Sequence, residues 1–329
     1  MPSPASLRAP SANPAALASG RPSRPGAWRE RGFLFVALAP VFFFLASFYL
    51  YPTVFNIENS LTDLSLFGLR QGGEWVGFEN YVELLTSPDF RRVLWNTVVW
   101  LTLVGVGVRI LLGLALAFLL NSATLKRWRL ATLSRILLIV PWATPPVVAI
   151  VVWRWLLDPR VGAINPALMA LGLTDQPIAF LGTAFWVWPA VITIITWNTL
   201  PLVTLTFLAS LQSLPQELIE AAQIDGASKW QVLRYVYLPH LKPAIVVMVL
   251  MSTFWTFNNF IYVWLTTGAG PGTYTNVMAT EIYLKAFVEG RLGYSSATGV
   301  VMATVMTVFG LIYLRVIAER ELKDEGEDT

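Results

Sequence analysis

Cysteine is absent from the 329-residue chain, and histidine occurs once, as His240. These absences exclude disulfide bonds, thiolate metal sites, cysteine nucleophiles and a histidine-rich metal centre. The phosphate-binding pattern G-x-x-x-x-G-K-[ST] is also missing, so the chain has no nucleotide site of that kind. Charge is scarce as well: 13% of the residues are charged and 55% are hydrophobic, whereas soluble domains carry about 25% charged residues. We therefore expect neither a metal site nor a soluble enzyme.

Long stretches of the chain carry no charged side chain at all. Residues 176–216 and 243–280 contain no Asp, Glu, Lys or Arg. Because about 20 consecutive apolar residues suffice for a helix to cross a bilayer, these stretches indicate membrane spans. The sequence predicts an all-α integral membrane protein with six spanning helices, at roughly 33–51, 93–119, 132–156, 184–211, 244–265 and 297–317.

The basic residues predict the orientation of these helices. Fifteen of the 23 lysines and arginines flank one side of the predicted spans, seven flank the other, and Arg109 lies inside the second helix. Since cytoplasmic segments carry the excess of Lys and Arg, both termini are expected in the cytoplasm. The net charge is only +3 and forms no single patch, so nucleic acid is not an expected partner.

The composition divides the chain into three regions. Residues 1–32 are rich in Pro, Ala, Ser and Arg, which is typical of a disordered tail. Residues 33–317 form the predicted transmembrane domain, and residues 318–329 form an acidic tail. The segments on the predicted outer side are each too short for a domain, so recognition outside the membrane is expected to need a separate protein.

The predicted cytoplasmic loop at 213–243 has a regular pattern. Asp225-Gly226 is a turn signal, and Ser228 and Gln231 have the spacing of a capping box, which begins a second helix. That helix is expected to present one apolar face, made of Trp230, Leu233, Val236 and Tyr237.

Pro239 is expected to end this second helix. Two interpretations of the helix–turn–helix remain open. Its apolar face could lie on lipid as an interfacial helix, or it could dock a soluble partner.

The same loop carries a resemblance to a known family. Glu220-Ala-Ala-x-x-Asp225-Gly226-Ala227, followed by Leu238-Pro239, resembles the EAA loop of bacterial ATP-binding-cassette (ABC) importer permeases. The resemblance covers helices two to six and is nearest to sugar permeases of the maltose-permease type. It implies the type I importer permease fold in a bacterial inner or plasma membrane. Residues 153–165, 257–260 and 268–271 are similar to other segments of that family, in particular to the first permease of each pair.

The resemblance implies a division of labour among several chains. This chain is expected to be non-catalytic and without a cofactor, while a cytoplasmic dimer of ATPase subunits binds ATP and Mg²⁺. A second homologous permease, an extracytoplasmic solute-binding protein, the sugar and membrane lipid are the other implied partners. The residues implied to couple the chain to the ATPase are Glu220, Ala221, Ala222, Asp225, Gly226 and Ala227.

Polar and aromatic side chains inside the fourth and fifth helices are candidates for the substrate path. The resemblance places sugar contacts in these two stretches, and the candidates are Trp255, Thr256, Asn259, Thr196, Asn198 and Thr199. Asn and Thr inside a membrane also serve simply to bond neighbouring helices, and Trp255 could be a packing residue. Both interpretations remain open from the sequence.

Arg109 is a charge in the middle of a predicted span, where charges are costly and mark functional candidates. Three interpretations are open: an ion pair with the partner permease, snorkelling to an interface, and contact with the cargo if that cargo is anionic.

These observations favour a permease of a carbohydrate importer. A disaccharide or short oligosaccharide such as maltose or trehalose is the expected cargo. One alternative is a permease for a glycerol phosphate, a peptide or another non-sugar solute. An integral membrane enzyme is a further alternative, but it would need a cluster of acids or histidines at membrane depth, which the charge-free stretches lack.

Overall fold

The computed structural model describes residues 27–122 and 130–327, and most of them are helical. Most of the predicted N-terminal tail, part of the second connection and the last two residues lie outside the described ranges. Within those ranges there is no β-sheet, only two isolated bridges, Thr62 with Trp75 and Ser65 with Arg291. The α-helices are Ala27–Leu45, Tyr51–Ser60, Glu79–Thr86, Pro88–Trp95, Gly105–Asn121, Leu130–Ala143, Pro146–Leu156, Ile164–Ala170, Ala184–Gln212, Gln216–Ile224, Lys229–Val232, Leu238–Phe257, Ile261–Thr267, Met278–Tyr283 and Leu292–Glu327.

Short π-helical turns join several of these helices into longer ones. They are Ala46–Leu50, Asn96–Val104, Leu233–Tyr237 and Leu284–Val288. Five of the resulting helices are long and apolar enough to cross a membrane, and a bent pair supplies a sixth crossing if it is counted as one span. In chain order, spans 1 to 6 are Leu34–Ser60, Pro88–Asn121, the bent pair Ile136–Ala143 and Pro146–Leu156, Ala184–Gln212, Lys229–Phe257 and Leu292–Arg315.

The chain divides into two compact units, Met1–Phe55 and Asn56–Thr329. In the first unit the described chain is helical, beginning at Ala27 inside the predicted tail, and its large apolar side chains are exposed, Phe35 by 73% and Phe43 by 72%. An apolar helix without a buried face is what a lipid-facing span requires. The last helix runs on to Glu327, through most of the predicted acidic tail.

Span 4 is central to the second unit. It packs against spans 2, 3 and 5 and continues as one helix through Pro189 and Pro201. Span 4 approaches span 2 closely at Gly113, where a Cβ atom would lie 2.7 Å from Cγ1 of Val203. Spans 2, 3 and 5 therefore pack around span 4.

The predicted third helix forms as two helices with a sharp bend between them. Its two halves meet at an angle of 99° between Ala143 and Pro146. Pro145 and Pro146 have no backbone N–H, so the helical hydrogen bonds that these residues would donate are missing, and the chain turns.

The predicted fifth helix is wrong at both ends. Pro239 does not end the preceding helix, since it lies in the first turn of Leu238–Phe257, directly after the π-helical turn. A proline is tolerated there because the N–H that it lacks is not needed in a first turn. At the other end the helix stops at Phe257, and Ile261–Thr267 is a separate helix.

Asparagine side chains explain the break after Phe257. Nδ2 of Asn258 donates back to the carbonyl oxygen of Phe254 at 3.0 Å, and Oδ1 of Asn259 accepts from the backbone N–H of Tyr262 at 3.1 Å. These side chains satisfy backbone groups that a continuous helix would pair internally. The break therefore has a local cause in the sequence.

The segment after the break is fastened to span 2. Nδ2 of Asn96 donates to the carbonyl oxygens of Tyr274 and Asn276, each at 2.9 Å, and the backbone N–H of Met278 donates to Oγ1 of Thr97 at 2.9 Å. These buried hydrogen bonds fix the position of the short helices that follow span 5.

Candidate functional site

A cavity of about 540 Å³ lies where spans 2, 3 and 4 meet the break after span 5. Its wall combines aromatic rings, amides, hydroxyls and one guanidinium. The lining residues are Arg109, Trp142, Ile195, Thr199, Leu202, Trp255, Thr256, Asn258, Asn259, Phe260, Ile261 and Tyr262. The volume lies within the range of about 300–1,000 Å³ that is typical of small-molecule sites.

Four of the six predicted substrate-path residues line this cavity, namely Trp255, Thr256, Asn259 and Thr199. Trp255 is 48% exposed, so its ring is accessible from the cavity. Asn259 lies beyond the end of the helix, which is at Phe257, but the break still brings it to the same wall. Oγ of Thr199 donates to the carbonyl oxygen of Ile195 at 2.7 Å, within its own helix.

The other two predicted residues, Thr196 and Asn198, are buried but do not line the cavity. Asn198 instead holds the bend of span 3. Its Nδ2 donates to the carbonyl oxygens of Pro141 and Thr144, at 2.7 Å and 3.1 Å. Pro141 lies four residues before Pro145, so its carbonyl oxygen faces a residue that has no N–H to donate.

Asn198 also connects the bend to the cavity wall. Its Oδ1 accepts a hydrogen bond from the hydroxyl of Tyr262, and Tyr262 lines the cavity. Asn198 therefore positions two walls of the cavity without touching its contents. The polarity of Asn198 was visible in the sequence, but nothing in the sequence identified Tyr262 as its partner.

Replacing Asn198 with leucine is expected to destabilise the folded chain. The change removes three hydrogen bonds inside a span, and such bonds contribute up to about 1–2 kcal/mol each in membrane proteins. Thermal unfolding of the purified complex in detergent measures the loss. Thr206→Val is the matched control, because that hydroxyl donates only to Leu202 of its own helix, and equal melting temperatures for the two variants would contradict the role of Asn198.

Arg109 is the charged member of the cavity wall. Its side chain is only 1% exposed, and Nη1 donates to Oγ1 of Thr256 at 3.1 Å. Nε and Nη2 have no hydrogen-bond partner among the described residues. Arg109 thus lies inside the chain against the cavity, rather than reaching along span 2 toward an interface as snorkelling requires.

The loop between spans 4 and 5 forms the predicted helix–turn–helix. Gly226 has φ +79°, the left-handed conformation that favours glycine at a turn. The capping box is formed, since the backbone N–H of Ser228 donates to Oε1 of Gln231 at 2.7 Å and Ser228 Oγ accepts in return at 3.4 Å. The turn and the cap were thus predicted correctly from local pattern.

Much of the surface of this loop is exposed. Glu220, Ala221, Asp225 and Gly226 are exposed, whereas Ala222 and Ala227 are half-buried. Large apolar side chains beside them are also exposed, namely Leu218, Ile224 and Trp230 at 53%, 85% and 67%. The predicted apolar face differs in detail, because Trp230 points outward while Tyr237 packs edge-on against Phe118 with ring centroids 5.4 Å apart. We call the exposed part of residues 216–230 the loop surface.

His240 holds this loop at the end of span 4. Its Nε2 lies 3.1 Å from Oγ of Ser213 and 2.9 Å from the carbonyl oxygen of Ser210. These contacts join the end of the loop to the end of span 4. The residue pattern around His240 does not predict them.

Comparisons with known proteins agree with this architecture. A family model described as binding-protein-dependent transport system inner membrane component matches residues 109–320. The sulfoquinovosyl glycerol transport system permease protein SmoG of Agrobacterium fabrum is 34% identical over 285 residues, which cover 86% of this chain and 90% of SmoG. The diacetylchitobiose uptake system permease protein DasB of Streptomyces coelicolor is 31% identical over 75% of both chains.

A solved structure shares the fold. A chain in the crystal structure of a bacterial ABC transporter involved in the import of the acidic polysaccharide alginate superposes with a TM-score of 0.71 at 24% identity. The match covers 88% of this chain and 96% of that chain. The predicted fold class, with six membrane-spanning helices, is therefore confirmed.

Proposed function

Because this chain belongs to the family of binding-protein-dependent transport system inner membrane components, we propose that it forms half of the path of an ATP-driven carbohydrate importer. The chain is a multi-pass membrane protein and a non-catalytic transport component, since that is what members of the family are. The other half of the path is assigned to a second, homologous permease, and the cargo is delivered by an extracytoplasmic solute-binding protein.

The single observation that carries the choice of cargo is the composition of the cavity. Sugars present hydroxyl groups and flat C–H faces, so a site for them needs short polar side chains beside aromatic rings. Asn259 and Thr199 supply the polar groups, and Trp255 supplies an accessible ring. A glycoside of one to a few sugar units fits about 540 Å³.

The names of the relatives favour a glycoside over other solutes. SmoG is named for sulfoquinovosyl glycerol and DasB for diacetylchitobiose. Neither name is maltose or trehalose, so the proposal is limited to a glycoside of about that size.

The loop surface is proposed to dock the cytoplasmic ATPase, which binds ATP and Mg²⁺. Glu220 and Asp225 present exposed carboxylates, while Ala221, Ala222 and Ala227 keep the surface flat and Gly226 makes the turn. Ile224, 85% exposed, is an apolar contact of the kind that partner surfaces bury. This assignment places the loop, and with it both termini, on the cytoplasmic side.

Uptake by liposomes tests the proposed function. The chain is co-purified with a partner permease, an ATPase and a solute-binding protein, reconstituted, and supplied with a panel of labelled solutes. At least one glycoside is expected to accumulate only when ATP is present on the ATPase side. Accumulation of glycerol 3-phosphate or a peptide, with no glycoside transported, would overturn the proposal.

A further inference from the structure

The cavity contains a buried positive charge that pairs with no acid in the described part of the chain. Arg109 is 1% exposed, and no described ion pair includes it. The sequence contains no acid between Asp89 and Asp158, nor any in residues 243–280. A buried charge without a partner is costly, so a counter-ion from outside the chain is expected.

One edge of the Arg109 guanidinium has no hydrogen-bond partner among the described residues. Nη1 donates a hydrogen bond to Oγ1 of Thr256, whereas Nε and Nη2 have no partner in the described part of the chain. Nε and Nη2 form the planar fork that pairs with two oxygens of a carboxylate, sulfonate or phosphate. Thr256 therefore fixes one nitrogen of the guanidinium, while the fork is buried without a partner among the described residues.

The position of Arg109 indicates how the oxyanion reaches it. Arg109 shares the cavity wall with Trp255, Thr199 and Asn259, the residues to which we assign sugar contacts. An anionic group carried on the cargo would enter this cavity together with the sugar. A counter-ion fixed permanently in the protein would instead need an acid of the partner permease to reach the same wall.

We propose that the cargo is an anionic glycoside whose oxyanion pairs with Arg109 inside the cavity. This inference rests on the proposed carbohydrate importer and adds the charge of the substrate. The pairing neutralises the buried guanidinium only while cargo is present, so Arg109 selects for acidic sugars within the membrane, independently of the binding protein.

Matched pairs of sugars test the inference in the complete reconstituted importer. One pair is a glucuronosyl–glucose disaccharide and the corresponding glucosyl–glucose disaccharide, which differ only by a carboxylate at C6. The other is a 6-sulfonated glucosyl glycerol and glucosyl glycerol. ATP-driven uptake of at least one acidic member is expected to exceed that of its neutral counterpart by about tenfold or more.

Variants of Arg109 then separate cargo contact from a structural role. Arg109→Gln is expected to reduce uptake of the acidic sugar at least about tenfold and uptake of the neutral one by less than about twofold. Arg109→Lys keeps the charge without the fork and is expected to fall between the wild type and Arg109→Gln. Equal loss for both sugars would overturn the inference and assign Arg109 to contact with the partner permease.

Two further outcomes keep this inference distinct from the proposed function. If the wild-type complex takes up neutral glycosides in preference to both acidic ones, the inference is overturned but the proposed carbohydrate importer is not. This outcome needs only the wild-type complex, so it can be observed even if Arg109→Gln fails to assemble. Uptake of glycerol 3-phosphate with no glycoside transported would overturn the proposed function itself.

Discussion

Replacing Glu220 with lysine is expected to reduce ATP-driven uptake about 100-fold or more, because reversing a charge at a docked interface costs several kcal/mol. Glu220 is exposed, and its described hydrogen bond is local, from Nε2 of Gln216 at 2.8 Å. The fold of the chain therefore does not depend on this carboxylate. Uptake and cargo-stimulated ATP hydrolysis of the reconstituted complex measure the effect.

Glu217→Lys is the matched control for this experiment. It makes the same charge change on the same exposed helix, outside the segment that resembles the EAA loop. Reversing an acid in the first turn costs the helix only about 0.3–1 kcal/mol through the helix dipole. Equal uptake by the two variants would contradict the assignment of Glu220 to ATPase docking.

Replacing Trp255 with alanine is expected to lower the maximal uptake rate of the glycoside about tenfold. Truncation of an aromatic anchor commonly costs about 1–2 kcal/mol or more, and about 1.4 kcal/mol corresponds to a factor of ten. The ring lines the cavity and is 48% exposed, so we expect its truncation to affect passage of the cargo more than packing. The rate is measured with the binding protein saturated, so that delivery of cargo is not limiting.

Two companion variants sharpen the experiment on Trp255. Trp255→Phe keeps an aromatic face and is expected to restore most of the rate. Phe254→Ala removes a neighbouring ring that does not line the cavity and is expected to leave the rate nearly unchanged. A loss for Phe254→Ala as large as that for Trp255→Ala would indicate a general packing defect instead.

The turn and the helix cap of the loop surface could be predicted from the sequence because each depends on residues that are close together in the chain. The turn at Gly226 and the cap formed by Ser228 and Gln231 depend on residues within four positions of each other. The length and polarity of the charge-free stretches likewise predicted the spans, because a bilayer imposes the same requirement on every helix.

The cavity could be predicted only in part because it depends on contacts that are distant in the chain. Trp255 and Asn259 were found from their residue types, but their meeting with Arg109 depends on a break made by Asn258 and Asn259. Asn198 was assigned to the substrate path by its polarity, although its amide is used by the carbonyls of the span 3 bend. Polarity alone does not distinguish an amide that faces a ligand from one that completes a neighbouring helix.

Because the chain has no cysteine, a cysteine introduced into the cavity wall can directly test whether the cargo passes through this cavity. Thr199→Cys introduces a single thiol in the cavity wall, and Thr206→Cys introduces one elsewhere on span 4, outside the lining. Thiol labelling of this chain is followed by mass spectrometry in the working importer, with and without saturating glycoside. Glycoside is expected to slow labelling at position 199 and not at position 206. Uptake of glycoside with unchanged labelling at position 199 would show that the cargo does not pass this wall.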